Sequence, residues 1–185
     1  MLAIGVFLDR DDTLIKDIPY LSDPEKVELL PGAGEAICML NEKSIPAIII
    51  TNQSGIARGL FDETALQAVH ERLMGILAGN YARIDAIYFC PHYPDGIIEK
   101  YAVKCNCRKP ETGLLEKAAT DFSLILNRCY FIGDKISDMQ AIHRVGGKGV
   151  LIGKCTDKVK SDYDAKDILD AVKWILGDIN HEDSR

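Results

Sequence analysis

The sequence has 185 residues, of which 47% are hydrophobic and 27% charged, and its formal net charge is −6. This length suits one domain with a substantial core, and the composition excludes an extensively disordered chain. The negative charge disfavours a nucleic-acid partner, and no apolar run reaches the ~18 residues that a membrane span requires.

We therefore expect a cytoplasmic monomer with neither a nucleic-acid nor a membrane partner. Residues 1–177 are predicted to form a single domain, followed by a C-terminal tail at residues 178–185. The apolar stretch at residues 2–8 lacks a basic flank and is too short for a signal peptide. In a reducing compartment, clustered cysteines are more often metal ligands than disulfide partners.

Short apolar runs predict five buried strands, and amphipathic stretches between them predict helices. The predicted strands are residues 5–8, 47–50, 84–89, 129–132 and 149–152. The predicted helices are residues 33–42, 63–77, 112–121, 137–145 and 166–176, with Asp62 and Ser137 as candidate N-caps. This alternation predicts a three-layer, Rossmann-like α/β fold: a parallel sheet with helices on both faces. Ligands bind such sheets at the carboxyl ends of the strands.

Three carboxylates, Asp9, Asp11 and Asp12, follow the first predicted strand within four residues. Their mutual repulsion favours a bound cation, and Mg²⁺ prefers such oxygen ligands together with water and substrate phosphate. A solvated acidic turn is the alternative interpretation.

Further polar and charged groups, some of which could hold a phosphate, follow two other strands and precede one helix. Thr51, Asn52, Gln53 and Ser54 offer hydroxyl, amide and backbone donors after the second strand. Arg108 and Lys109 supply two cations before a helix, while Asp134, Lys135 and Asp138 follow a later strand. Each segment alone could be a capped turn or surface charge.

In this order, the segments resemble the motifs of the haloacid dehalogenase superfamily of phosphohydrolases. The matching positions are Asp9-x-Asp11-x-Thr13, Thr51, Lys109 and Gly133-Asp134-x-x-x-Asp138. The resemblance implies that Asp9 is the nucleophile and Asp11 the general acid and base. It also implies that Thr51 and Lys109 hold the phosphoryl oxygens, and that Mg²⁺ binds Asp9, Asp134 and the backbone carbonyl of Asp11.

Four further residues form a Cys-x-His and Cys-x-Cys pattern. Cys90 and His92 are separated from Cys105 and Cys107 by twelve residues. This donor set suits tetrahedral Zn²⁺ in a structural site, although the spacing within each pair is shorter than in common zinc fingers. An unliganded loop is the alternative.

The remaining cysteines and two of the histidines lack such a pattern. Cys38 and Cys129 are predicted core residues, Cys155 a free thiol, and His70 and His143 ordinary structural or surface histidines.

The cysteine pattern narrows the resemblance to the D-glycero-D-manno-heptose 1,7-bisphosphate 7-phosphatases and the related histidinol-phosphate phosphatases. The segment from Thr51 to Gly59 and the sequence Cys-x-Cys-Arg-Lys-Pro carry this similarity. It implies a phosphatase of heptose bisphosphate without a large cap domain, in which a zinc loop at residues 90–107 shapes the pocket. Asp12 departs from the family pattern, which has glycine there.

Two alternatives have other functions. Histidinol phosphate could be the substrate, or the chain could be a receiver-like signalling domain that is phosphorylated without turnover. Asp11 and the cysteine cluster disfavour the receiver. Arg108 and Lys135 are left as candidate substrate contacts once the transferred phosphate has its partners, and a guanidinium suits a second phosphate. This assignment favours the bisphosphate.

Overall fold

The apolar runs form one six-stranded, entirely parallel sheet. A computed structural model describes residues 3–153 and 160–182. The strands are β1 (Val6–Leu8), β2 (Ala47–Asn52), β3 (Ala86–Cys90), β4 (Tyr130–Gly133), β5 (Lys148–Ile152) and β6 (Tyr163–Ala165). Their order in the sheet is β3-β2-β1-β4-β5-β6. The strand that carries the first acidic motif therefore lies inside the sheet, between β2 and β4.

Helices cover both faces, as the alternation of elements predicts. They are α1 (Ala33–Glu42), α2 (Glu63–Gly79), α3 (Gly113–Phe122), α4 (Ile136–Arg144) and α5 (Ile168–Glu182). Residues of α1, α2 and α5 share one apolar cluster with one side of the sheet. Residues of α3 and α4 share a second cluster with the other side. The predicted three-layer fold is confirmed.

Two predictions near the C-terminus are wrong. The predicted set lacks β6, a three-residue strand with only one buried residue, which is too short for a periodic signal. The last helix extends to Glu182 rather than ending at residue 176, so it includes much of the predicted tail. It continues because Ile179 remains buried and Asp178 accepts hydrogen bonds from Tyr130 and Lys148.

The two predicted N-caps have different outcomes. Asp62 caps α2, because its carboxylate accepts the backbone N–H of Ala65 at 2.8 Å. Ser137 does not cap α4, which begins one residue earlier with Lys135 at the N-cap. Here the backbone N–H of Lys135 donates to Asp138 Oδ2 at 3.2 Å, so the carboxylate at the third helical position supplies the cap.

The isolated cysteines and histidines can be compared with their predictions. Cys129 is buried as predicted, whereas Cys38 is half-buried and lies 3.9 Å from Glu42 Oε1. The predicted free thiol Cys155 lies outside the described residues. His143 pairs with Asp162 at 2.8 Å, away from the strand ends that carry the acidic motifs.

None of the helices within residues 3–153 and 160–182 has the length and apolarity that crossing a membrane requires.

Candidate active site

The parallel register brings the predicted catalytic segments to one edge of the sheet. Leu8 pairs with both Ile49 and Ile132, so β1 and β4 end at nearly the same level, while β2 continues three residues past Ile49 to Asn52. Asp9 and Asp134 directly follow their strands, while Thr51 is the penultimate residue of β2. A crevice at the carboxyl ends of parallel strands is the usual ligand site of such a sheet.

Asp9 and Lys109 form a buried ion pair at this edge. Lys109 Nζ lies 2.9 Å from Asp9 Oδ1, and both side chains are almost fully buried. Lys135 Nζ approaches the other oxygen, Asp9 Oδ2, at 3.5 Å. Burial alone would raise the pKa of Asp9, but the two lysines outweigh burial and hold it below its usual value. Asp9 is therefore an ionised carboxylate, as a nucleophile must be.

Lys109 is fixed by partners on three sides. Its Nζ lies 2.7 Å from Asp138 Oδ1 and donates to the backbone oxygen of Ile50 at 2.8 Å. Burial lowers the pKa of Lys109, but Asp138 and Asp9 more than compensate and raise it above its ordinary value. The ammonium is thus a permanent positive charge. Sequence reasoning included Asp138 in a motif without giving it a role, although its position after a buried strand was a usable signal.

The side chain of Asn52 anchors the backbone of Lys109. Its side-chain Nδ2 donates to the carbonyl oxygen of Lys109 at 3.1 Å, and the N–H of Lys109 donates back to Asn52 Oδ1 at 3.0 Å. In this arrangement Asn52 positions the lysine, and the substrate contact expected of Asn52 from the sequence stays a prediction.

Asp134 supplies an oxygen that is suited to a cation. Its Oδ1 is buried and has no hydrogen-bond partner among the described residues; Lys135 Nζ is 3.6 Å away. Burial raises the pKa of Asp134 to about 7 despite the charge of Lys135, with Asp9 and Asp138 adding repulsion. Carboxylate oxygens of Asp9, Asp134 and Asp138 lie within 4.8 Å of one another. An all-oxygen donor set with an unsatisfied member fits Mg²⁺.

Asp11 faces the same crevice and is held on both oxygens. Arg10 Nη2 donates to Asp11 Oδ1 at 2.8 Å and to Oδ2 at 3.0 Å. Gln53 Nε2 donates to Asp11 Oδ2 at 3.2 Å and to Thr51 Oγ1 at 2.8 Å. Gln53 of the predicted phosphate-binding segment therefore links Thr51 to the predicted acid and base.

A cleft of about 150 Å³ opens beside these groups. Its lining includes the predicted substrate residues Asn52, Gln53, Ser54 and Lys135, together with Asp11. Three further lining residues come from the segment after β1: Ile18, Tyr20 and Leu21. A small polar ligand in this cleft would lie beside Asp11 and Lys135, and Lys135 in turn contacts Asp9.

The predicted metal-binding loop also comes together. The three cysteine Sγ atoms are 3.1–3.6 Å apart, and His92 Nδ1 lies 3.2 Å from Cys107 Sγ and 3.7 Å from Cys90 Sγ. Zn–S bonds of about 2.3 Å in a tetrahedron imply sulfur separations of about 3.8 Å. The spacing of Cys90, His92, Cys105 and Cys107 is thus close to that of a zinc site, with soft ligands of the appropriate type.

Arg108 lies between this cluster and Lys109. Its guanidinium carbon is 5.5 Å from the centre of the Tyr93 ring, and Nη1 donates to the backbone oxygen of His92 at 3.4 Å. Arg58 stacks on the same ring at 3.9 Å. Arg108 does not line the 150 Å³ cleft but borders a neighbouring cavity of about 280 Å³. Arg108 therefore lies next to Lys109 in the chain but outside the cleft that Asp11 lines.

Comparison with known proteins gives consistent relatives. A HAD-hydrolase-like family model matches residues 106–175. The D-glycero-beta-D-manno-heptose-1,7-bisphosphate 7-phosphatase of Haemophilus ducreyi is 35% identical over 178 residues, covering 92% of this chain and 97% of that protein. The enzyme of the same name from Photorhabdus laumondii is 39% identical over 146 residues, or 78% of each protein.

A solved structure agrees in fold over nearly the whole chain. D,D-heptose 1,7-bisphosphate phosphatase from B. bronchiseptica, complexed with magnesium and phosphate, superimposes with a TM-score of 0.81 at 29% identity. The alignment covers 96% of this chain and 99% of the other. Together with the motif segments around Asp9 and Lys109, these similarities establish that the chain belongs to the haloacid dehalogenase-like hydrolases, in the family of the heptose 1,7-bisphosphate 7-phosphatases.

Proposed function

We propose that this protein is a Mg²⁺-dependent phosphatase that removes the 7-phosphate of D-glycero-D-manno-heptose 1,7-bisphosphate through an aspartyl-phosphate on Asp9. The observation that carries the proposal is the ionised Asp9 carboxylate, held by Lys109 beside an unsatisfied Asp134 oxygen. A nucleophile, a fixed cation and a carboxylate oxygen suited to a metal ion, all at the carboxyl ends of the strands, are the parts that phosphoryl transfer requires.

In the first half of the reaction, an Asp9 oxygen attacks phosphorus while the bond from phosphorus to the sugar oxygen breaks. Asp11, in its protonated form, gives its proton to the departing oxygen. Lys109 and the Thr51 hydroxyl contact the phosphoryl oxygens, where charge accumulates in the transition state. The product is a phosphoaspartate and the free sugar hydroxyl.

In the second half, water attacks the phosphoaspartate and the bond between Asp9 and phosphorus breaks. Asp11, now a carboxylate, accepts the proton of that water. Gln53 contacts both Asp11 and Thr51, so it can keep the base aligned with the phosphate site. Inorganic phosphate then leaves and Asp9 is regenerated.

The residues present fit two metal sites with different tasks. Asp9, Asp134 and the backbone carbonyl of Asp11 would hold Mg²⁺, which neutralises phosphate charge when bound. Cys90, His92, Cys105 and Cys107 would hold Zn²⁺ with all four positions filled by protein, which is the arrangement of a structural site. Their loop would support Arg108 and Lys109.

The choice of substrate rests on two supports. The relatives from H. ducreyi and P. laumondii bear the name of the heptose bisphosphate enzyme. Arg108 adds a guanidinium next to the catalytic segment, and this group suits a second phosphate. Histidinol phosphate, which has a single phosphate, is the second candidate. Monomeric state and cytoplasmic location stay predictions from the sequence.

A phosphate-release panel tests this proposal. It contains both anomers of heptose 1,7-bisphosphate, histidinol phosphate and a simple sugar monophosphate, each with and without Mg²⁺. We expect the highest kcat/KM on a heptose bisphosphate and no turnover without Mg²⁺. A preference for histidinol phosphate would overturn the substrate assignment. Stoichiometric phosphorylation of the protein without turnover would overturn the proposal that it is a phosphatase.

A further inference from the structure

Arg10 is a buried guanidinium inside the catalytic motif. Only 1% of its surface is exposed, although it lies between the nucleophile and the acid and base in sequence. A buried charge is costly unless it is paired and hydrogen-bonded, so the partners of Arg10 are expected to be well defined. Nothing in the two-step reaction requires Arg10 to contact substrate, which leaves its role open.

On one side, the Arg10 guanidinium forms a bidentate ion pair with the Asp11 carboxylate. Nε donates to Asp11 Oδ1 at 3.1 Å, in addition to the two bonds from Nη2. Such bidentate pairing fixes the plane of a carboxylate as well as its distance. The orientation of Asp11 therefore depends on where the guanidinium is held.

The other side of the guanidinium meets His70 of α2, another residue to which the sequence assigns no function. Arg10 Nη1 lies 3.4 Å from His70 Nε2, and the imidazole is itself buried, with its ring 6.1 Å from that of Phe89. Arginine can only donate, so Nε2 must accept and the ring proton must be on Nδ1. Burial and the Arg10 charge lower the pKa of His70 to about 3, consistent with a neutral ring.

We infer that His70 is a positioning residue of the catalytic reaction: as an uncharged acceptor, it holds Arg10 on Asp11 and thereby sets the orientation of the general acid and base. The inference rests on the proposed phosphatase function. It assigns a task to α2, a helix whose residues lie outside the catalytic motifs. A hydrophobic residue at position 70 would remove the partner of Arg10 Nη1 and allow the guanidinium, together with Asp11, to move.

The test compares His70→Leu with His70→Gln, whose amide oxygen can replace Nε2 as an acceptor. Proton donation matters most for a poor leaving group, so kcat/KM is measured on an alkyl phosphate and on p-nitrophenyl phosphate. His70→Leu should lower kcat/KM about tenfold on the alkyl ester and less than about threefold on the aryl ester. His70→Gln should restore most of the loss.

His143→Leu is the control, because it removes a histidine that pairs with Asp162 rather than with the catalytic motif. It should leave the ratio of the two kcat/KM values unchanged. An equal loss on both esters in His70→Leu, or no rescue by His70→Gln, would assign His70 a purely structural role and overturn the inference.

A second measurement does not depend on turnover. The ¹⁵N chemical shifts of the His70 ring report which nitrogen carries the proton. We expect the Nδ1–H tautomer from pH 5 to 8, and an Nε2–H or doubly protonated ring would overturn the inference even in an inactive protein. Wild-type protein that turns over neither ester would instead contradict the proposed phosphatase, while the tautomer would still decide the Arg10–His70 contact.

Discussion

Asn52 and Lys109 are joined by two hydrogen bonds, which connect the side-chain amide of Asn52 to the backbone N–H and C=O of Lys109. Asn52→Ala should lower kcat by about tenfold or more, because the Lys109 backbone loses the anchor that positions its ammonium. Loss of two bonds should also cost roughly 1–3 kcal/mol of stability. Steady-state kinetics and chemical denaturation measure the two effects.

A closely matched control exists for this substitution. Asn41 forms the same pair of bonds with the backbone of Arg83, at 3.0 and 2.7 Å. Asn41→Ala should cost similar stability without lowering kcat. Equal kcat losses in both variants would mean that activity follows global stability rather than the position of Lys109.

Asp9→Asn should abolish turnover while keeping the fold, because the amide keeps the shape of the side chain but cannot attack phosphorus. Phosphate release should fall to less than about 1% of wild type, with an unchanged circular dichroism spectrum. Asp85→Asn is the control, since Asp85 caps the backbone N–H of Ala47 at the opposite end of β2. Retained activity of a few per cent or more in Asp9→Asn would contradict the assigned nucleophile.

Elemental analysis of protein purified without chelators should find about one zinc per chain. Cys107→Ser should lose that zinc and lower the unfolding temperature, because binding to the native loop stabilises the fold by mass action. Cys38→Ser replaces a cysteine of α1 outside the cluster, and it should change neither the zinc content nor the unfolding temperature. Turnover of wild-type protein should still require added Mg²⁺, and zinc-free wild-type protein would refute the site.

Arg108→Ala should reduce kcat/KM on the bisphosphate about ten- to a hundredfold while changing it little on a sugar monophosphate. The physical reason is the loss of a charge-assisted bond to the second phosphate. Lys104→Ala removes a neighbouring positive charge that borders the same 280 Å³ cavity and serves as the control. Equal losses on both substrates would mean that Arg108 serves the transferred phosphate instead.

Stability should fall at mildly acidic pH because of His70. The unfolded residue takes up a proton near pH 6.5, whereas the pKa of about 3 keeps the folded residue neutral, so stability present above pH 6.5 is lost as pH falls towards 3. Between pH 7 and pH 5, this residue alone should cost roughly 2 kcal/mol. Urea denaturation of His70→Gln should show a pH dependence shallower by that amount, and parallel curves would contradict a buried neutral His70.

The sequence was sufficient to predict the parallel sheet and the residues at its edge. Continuous apolar runs such as 47–50 are typical of strands buried on both faces, and polar residues directly after them must meet where parallel strands end. The cysteine cluster was equally predictable, because its donor types and pairing are rare outside metal sites. These signals are local in sequence.

The features that could not be predicted from the sequence depend mainly on contacts between residues that are far apart in the chain. The bond between Arg10 and His70 joins residues that are 60 positions apart, and nothing near His70 marks it as a partner of the motif. Asn52 faces Lys109 across 57 positions for the same reason. Strand β6 escaped detection because a three-residue edge strand needs little hydrophobicity.

The aspartate at position 12, where the family pattern has glycine, has a local explanation. Asp12 adopts a left-handed backbone conformation with φ of 53°, and its Oδ1 accepts the N–H of Asp17 at 3.1 Å. Glycine adopts this conformation freely, and aspartate is among the few residues that tolerate it. The substitution therefore preserves the turn that places Asp11.

The position of β1 between β2 and β4 has a consequence for synthesis on the ribosome. Val6 pairs with Ala47 on one side and Tyr130 on the other, so the strand that leads into Asp9 has only one of its two neighbours until most of the chain has emerged. Lys109 and Asp134 are also translated late. A nascent chain that stops before β4 cannot bring Asp9, Lys109 and Asp134 together. Such a chain would be inactive, and its β1, unpaired on one side, would be a binding site for chaperones.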